Sequence, residues 1–295
     1  MGRFNSILSQ IGQFTSSKLY YHLRGYSTSK FLDPDIDIVV ITGGSNGLGA
    51  KLARQLTESS ISVVVLDVVE PVEKLQGVCY IKCDISSREQ VLDAAFVIKQ
   101  EIGDVTVLIN NAAITQGKTI LDLTFEEIDN TMKINLVSNF YTVKAFLPGM
   151  VKLRRGYVVT ISSVTGYVGP IKLGAYAASK AGLLCLHDSL TYELGPDPDS
   201  GSGVRTILVA TGQMSTHLFE GVQTPSRSMA PILDTTVVAD RICLALQRGE
   251  QGRITMPTYA RFMPLMRILP RSVMTAVRYL SGIDRGMDDY TGVYN

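Results

Sequence analysis

The sequence predicts an α/β fold: a doubly wound, mainly parallel sheet of seven strands with helices on both faces, forming a single domain. Two observations carry this. Seven apolar runs rich in β-branched residues recur, at 36–42, 62–68, 78–84, 105–109, 157–162, 204–210 and 253–256. They are continuously apolar rather than alternating, as strands buried on both faces are. Between them lie amphipathic stretches at 48–59, 87–102, 125–152 and 175–194, and repeated strand–helix–strand order makes the sheet parallel with helices on each side. The segment "GPDPDSGSG" at 195–203 has the Gly, Pro, Asp and Ser content of a surface loop before the sixth strand.

Bulk properties agree. The chain has 295 residues, 45% of them hydrophobic, enough for one large core, and a net charge of +1 that gives no overall attraction for nucleic acid. Cys79, Cys83, Cys185 and Cys243 contain no CxxC pair, so neither a disulfide scaffold nor a zinc site is expected, and no metal is assigned. No uninterrupted apolar run reaches the length of a spanning helix.

The first strand leads into "TGGSNGLG", Thr42 to Gly49. Gly43, Gly47 and Gly49 let the strand turn, let backbone approach a pyrophosphate and let a helix start close by, with Ser45, Asn46 and Leu48 filling the same loop. A plain strand-to-helix turn is the alternative, and context argues against it. Asp67 closes the second strand 24 residues beyond Gly43, where a carboxylate can accept two hydrogen bonds from a ribose diol and repel a 2′-phosphate. No Lys or Arg stands at 43–47 or 68–70. NAD is therefore favoured over NADP.

"YAASK" at 176–180 puts Tyr176 and Lys180 on one face of a helix, four residues apart. A tyrosine is a poor base near neutrality, and a neighbouring cation stabilises its phenolate. Taken alone, the pair is also what an exposed aromatic and a lysine on a helix look like. Ser163 could simply end a strand, Asn135 cap or bend a helix, and Asp67 close its strand without a ligand. Their joint occurrence favours the chemical reading. His187 belongs to the same helix as Tyr176 without a chemical role, His217 to a flap, and Met214, Phe219 and Met229 suit an apolar pocket wall.

Six motifs occur in order: "TGGSNGLG", "CDI" at 83–85, "NNAA" at 110–113, "KINL" at 133–136, "ISS" at 161–163 and "YAASK". On these the chain resembles the classical short-chain dehydrogenases/reductases over about residues 36–260. The resemblance implies a Rossmann catalytic domain binding NAD(P) over 33–260. It implies a catalytic set of Asn135, Ser163, Tyr176 and Lys180, with Tyr176 exchanging the substrate proton, Ser163 orienting the same oxygen and Asn135 holding a water that links Lys180 to solvent. Asp84 falls in the adenine pocket, Asn111 and Ala112 in the turn after the fourth strand, and Gly212 and Thr216 near the nicotinamide, while Tyr176 and Lys180 also touch the cofactor. Two departures stand out: Ala113 replaces a glycine, and Thr211 replaces a proline before Gly212. A homo-oligomer, dimer or tetramer, is implied as well.

Both ends differ from this core. Residues 1–32 hold Arg3, Lys18, Arg24 and Lys30, six serines and no acid, the composition of a mitochondrial transit peptide. "MGRFNS" also fits an acylation pattern, and a disordered or membrane-adjacent arm is a third reading. Residues 261–295 form a basic amphipathic extension. From Gln251 to Ile283 there is no acid, and a helix beginning near Pro270 places Val273, Ala276, Val277 and Leu280 on one face, Arg271 and Arg278 on another. That pattern suits a membrane surface, and equally suits packing on the subunit or a second copy. This tail, with "GDVTVLINNAA" from Gly103 and "KAFLPGM" from Lys144, is similar to the membrane- and lipid-droplet-associated branch with retinol dehydrogenase-like and 17-beta-hydroxysteroid dehydrogenase-like members. That branch places a protein at the endoplasmic reticulum or lipid droplet, against the mitochondrion of the amino-terminal reading. The expected function is hydride transfer between NAD(H) and an alcohol or carbonyl group of a small lipophilic substrate. An NADPH-dependent reductase of acyl intermediates and a non-catalytic nucleotide-binding regulator are the alternatives.

Overall fold

Seven strands hydrogen-bond in the order β3-β2-β1-β4-β5-β6-β7. They are β1 Ile38–Thr42, β2 Ser62–Asp67, β3 Val78–Lys82, β4 Val107–Asn110, β5 Gly156–Ser163, β6 Val204–Thr211 and β7 Gly252–Met256. The computed structural model describes residues 31–195, 197–199, 201–222, 224 and 230–291. Every pairing is parallel, and the longest ladder runs from Gly156 opposite Val204 to Ser163 opposite Thr211. Central strands are buried along nearly their whole length, whereas the edge strands β3 and β7 are half-exposed.

Alternate side chains of each strand supply two cores. Val39, Ile41, Val63 and Val65 pack on one face beneath α1 (Gly47–Glu58) and α6 (Thr235–Gln247), through Leu52, Leu56, Ile242 and Leu246. Val40, Val64, Leu108 and Val158 pack on the other beneath α2 (Arg88–Glu101), α4 (Ser138–Leu153) and α5 (Gly174–Leu194), through Ile98, Phe146, Met150 and Leu190. This is the doubly wound arrangement that the continuous apolar runs require.

Two features depart from the expected elements. The stretch at 125–152 is not one helix: α3 (Phe125–Met132), opened by a reciprocal Thr124–Glu127 cap, passes through a π turn at Lys133–Val137 before α4 begins. One extra residue in the turn leaves the apolar period almost unchanged, so the sequence pattern hides it. Helix α6 was not expected at all, although Asp234 caps it by accepting from Thr236 N at 2.7 Å and Val238, Ile242 and Leu246 supply its buried face.

The sheet is anchored at its lower end by Asp37, fully buried just before β1. Arg155 donates Nε to Asp37 Oδ1 at 3.0 Å and Nη2 to Oδ2 at 2.6 Å, while Thr106 Oγ1 donates to Oδ1 at 2.7 Å. The guanidinium also lies over the Phe31 ring, 4.4 Å from its centre, and Phe31 packs edge-on against Tyr157. Phe31 and Leu32 therefore belong to the core. A bidentate pair of this kind costs most when one partner is removed, because the remaining charge is buried alone. Arg155→Met is expected to lower unfolding stability by about 3 kcal/mol, and the additional change Asp37→Asn to recover part of it, as read from urea midpoints. An unchanged midpoint in the single variant would show that Asp37 has other compensation.

Candidate active site

The crevice at the carboxyl ends of β1 and β4, where the strand order reverses, is held together by backbone proximity. Asn111 Nδ2 donates to Thr42 O at 3.0 Å and Gly43 O at 2.8 Å, and Thr42 Oγ1 accepts from Asn111 N and Ala112 N. A Cβ on Gly43 would lie 2.8 Å from Ala112 Cα, and one on Gly49 would lie 2.2 Å from Gly43 O. Only glycine permits this approach. Asn46 precedes α1 without a side-chain cap, leaving the first-turn N–H groups directed at the crevice. Asp67 ends β2 beside them, its Oδ2 accepting from Ser45 N at 2.9 Å and its Oδ1 from Val69 N at 3.2 Å. Ser45 Oγ donates to Val69 O at 2.6 Å, so Ser45 supports the carboxylate.

On the other side of the crevice, one turn of α5 presents Tyr176 and Lys180, which are 5% and 2% exposed. Lys180 Nζ lies 5.5 Å from the Tyr176 ring centre and donates to Ile161 O at 2.8 Å. Burial pushes the Lys180 ammonium down to about 7. Burial also raises the Tyr176 phenol, and the adjacent Ser163 hydroxyl partly offsets this. Ser163, at the end of β5, accepts from Thr165 N at 3.2 Å and reaches Thr211 O at 3.4 Å. Asn135 is buried in the π turn. Its Oδ1 accepts from Ile114 N at 2.8 Å, and its Nδ2 donates to Ile114 O at 2.9 Å and Ser179 Oγ at 3.1 Å. It joins the loop after β4 to α5 just behind Tyr176 and Lys180.

These residues surround a cavity of about 970 Å³. Gly43, Asn46, Gly47, Leu48, Asp67, Asp84, Asn111, Ala112, Ser163, Tyr176, Lys180, Gly212 and Thr216 all line it. Ser45, Gly49 and Asn135 stand behind the wall. Ala113 also lines it and adopts an ordinary negative φ, its methyl packing in the apolar cluster around Tyr176. With Thr211 in place of proline, β6 extends through that residue, opposite Met256, and Gly212 N donates to Met256 O at 2.8 Å.

The donor set fits a nicotinamide dinucleotide. The glycine approach, uncapped helix start and Asp67 carboxylate occupy one end. At the other, Thr216 Oγ1 and Thr165 Oγ1 are buried without a partner among the described residues, as hydroxyls awaiting a polar ligand are. Phe219 meets Tyr176 edge-on at 5.5 Å, and Met214 lines the cavity. Met229 lies outside the described residues. His217 is exposed and near Glu220, and His187 is buried in α5, where burial pushes it down to about 4. Sequence reasoning missed Thr165 and the whole carboxyl-terminal wall, which includes Val277, Arg278, Ser281 and Met287. For Thr165 the position two residues after Ser163 was the available signal.

Residues 37–226 match the family described as short chain dehydrogenase. The uncharacterized oxidoreductase TDA5 of Saccharomyces cerevisiae is 31% identical over 85% of this chain and 78% of its own length. Epidermal retinol dehydrogenase 2 of Mus musculus is 31% identical over 87% and 85%. Estradiol 17-beta-dehydrogenase 11 of Pongo abelii is also 31% identical, over 82% of each. A short chain dehydrogenase from Burkholderia cenocepacia, solved in complex with NADP, shares the fold with a TM-score of 0.70 at 24% identity, over 83% of this chain and 98% of that one. The chain belongs to the short-chain dehydrogenase/reductase family, in the branch of the retinol dehydrogenase-like and 17-beta-hydroxysteroid dehydrogenase-like enzymes, and is an oxidoreductase acting on CH–OH groups.

Proposed function

We propose that this enzyme uses NAD(H) to interconvert an alcohol and its carbonyl on a small lipophilic substrate. The observation that carries the cofactor choice is the Asp67 carboxylate at the far end of the cavity, followed by Val68 and Val69 rather than by a base. A 2′-phosphate there would meet a negative charge, and no Lys or Arg lines that end of the cavity. The apolar choice rests on the other end, where Leu173, Phe219, Val222 and Met287 cluster around Tyr176. Relatives named for retinol and estradiol support it.

In this reading a nicotinamide dinucleotide supplies the two-electron exchange with the CH–OH carbon. Tyr176 takes the alcohol proton in oxidation and returns it in reduction. Ser163 bonds the same oxygen and holds it against the phenol. Lys180 favours the phenolate by its charge, and Asn135 fixes the loop and the helix that carry the pair. The apolar wall keeps bulk water from competing for the reacting oxygen.

Because burial raises Tyr176, its deprotonated form is scarce at neutral pH, and Lys180, pushed down to about 7, keeps the charge that favours it only below neutrality, so oxidation should quicken as pH rises from about 5 to 7 and level off above, while reduction stays nearly level below 7. Tyr176→Phe should cut turnover by roughly 10² to 10⁴, remove that rise and leave NADH binding near normal, since only the hydroxyl is lost. Retention of more than about a tenth of the rate would exclude proton transfer by this residue.

Asp67→Ala should weaken NADH and narrow its advantage over NADPH by about tenfold or more, from two lost hydrogen bonds and one lost repulsion. Equal affinity of the unaltered enzyme for the two cofactors would overturn the assignment to NAD.

Location belongs to the same proposal. Residues 1–30 lie outside the described structure, and among described residues no helix is long and apolar enough to cross a membrane. Phe262, Leu265 and Ile268 are exposed on the 3-10 turns at Thr258–Ile268, as are Val273 and Leu280 on α7 (Arg271–Ser281). Arg261 and Arg271 are exposed beside them. This supports peripheral contact with an anionic membrane, with two changes from the helical wheel: Val277 lines the cavity, and Arg278 turns inward onto Asp284 and Gly169 O. Ile268→Asp with Leu280→Asp should abolish flotation of the full chain with anionic liposomes. Equal flotation would return this surface to packing against protein. Exposed Phe140 and Val151 on α4 and Tyr192 on α5 offer a second copy of the chain an apolar face, in keeping with a homo-oligomer.

A further inference from the structure

Residues 282–291, which follow α7, cross the substrate end of the cavity and are fastened on both rims. On one rim, Lys172 Nζ donates to Met287 O at 3.4 Å and pairs with Asp288 at 3.1 Å, and Asp284 Oδ1 accepts from Ile171 N at 3.3 Å. On the other, Tyr290 OH donates to Thr115 O and Thr291 N donates to Glu220 O, each at 3.1 Å.

Two glycines leave room for the crossing. A Cβ on Gly117 would fall 2.1 Å from the Tyr290 ring, and one on Gly221 would fall 2.2 Å from Asp289 O. Both have positive φ, so backbone and contact alike call for glycine. Beneath the crossing, Met287 is 3% exposed and packs with Leu173 and Tyr176 in one cluster.

We propose that this segment is the roof of the substrate site, and that Met287 is a specificity-determining residue that sets the width of the apolar space above Tyr176. The Lys172–Asp288 pair holds the roof at its working height. The inference rests on the alcohol/carbonyl reading of the site and deepens it by naming what bounds the substrate. From the roof, Met287 packs against Leu173 and Tyr176 with Tyr290 beside it, so a buried side chain bounds the space next to the phenol. An unbranched apolar chain therefore passes beneath it, while a substituent branched next to the carbinol collides with it. The preferred substrate class is thus an alcohol unbranched beside its carbinol, or its carbonyl counterpart.

The test uses the full-length enzyme with NAD, a series of linear long-chain alcohols and a matched series branched beside the carbinol. Binding of saturated amides of the same two shapes to the enzyme–NADH complex is followed by nicotinamide fluorescence, which needs no turnover and meets no tryptophan background, since the chain has no tryptophan. Met287→Ala is expected to move the branched-to-linear ratio of kcat/KM, and of amide affinity, at least tenfold toward branched ligands. Met287→Phe should move both toward linear ones. Lys172→Glu should raise KM for linear alcohols without changing NADH affinity, and Lys172→Glu with Asp288→Lys should restore it. Unchanged ratios in both Met287 variants, with activity intact, would overturn the roof while leaving the oxidoreductase reading in place. Shifted amide affinities without turnover of any alcohol would uphold the roof and overturn that reading. No binding by either amide series would overturn both. If neither Met287 variant folds, the charge exchange at Lys172 and Asp288 decides, and failure to restore KM overturns the proposal.

Discussion

A parallel sheet wound in both directions from its centre leaves a crevice that no crossover helix can cover, and the rest of this molecule depends on how that crevice is closed. Strand β1 sends its helix one way and β4 the other. The exposed strand ends would carry unpaired backbone groups, and here Thr42 and Asn111 satisfy them across the gap. That tie draws Gly43 against Ala112 closely enough to forbid a side chain. It also fixes the start of α1, and through Ser45 the orientation of Asp67. The glycine-rich end of the cavity is therefore a consequence of how the sheet is closed, which explains why so short a stretch is conspicuous in the sequence.

At the other end, the controlling quantity is desolvation. Lys180 is an ammonium with one carbonyl acceptor in dry surroundings, and Tyr176 a phenol in the same surroundings. Burial acts against the charged form of each, lowering one pKa and raising the other. Burial brings the lysine's proton affinity down toward neutrality and moves the phenol's away from it. A phenolate next to an ammonium relieves both penalties together. Their titrations are thus linked, whereas two exposed groups at the same spacing would titrate independently.

The strands were legible because burial on both faces forces uninterrupted apolar runs, and Tyr176 with Lys180 because one helical turn has a fixed spacing. Gly43, Asp67 and Ser163 were legible because each stands at a strand end, a place the runs themselves mark. The π turn at Asn135 escaped because one inserted residue barely disturbs the helical period. The burial of Arg278 escaped for a different reason: its partners, Asp284 and Gly169 O, come from a tail and a distant loop. The helical wheel read it as a solvated cation, which is correct for an isolated helix. Gly117 and Gly221 look like ordinary loop glycines until the chain that crosses them is in place.

This difference follows the order in which the site is built. The glycine-rich end comes from local chain geometry between residues 42 and 67, and local geometry has a sequence signature. The substrate end is assembled from the loops after β4, β5 and β6 together with the last residues described, all packed on one another rather than on the sheet. Such packing tolerates exchange of side chains so long as the roof still meets its rims, because no strand register depends on it. A fold shared with a solved short chain dehydrogenase can then carry different substrate spaces. The residues that distinguish those spaces lie where the sequence pattern is least informative.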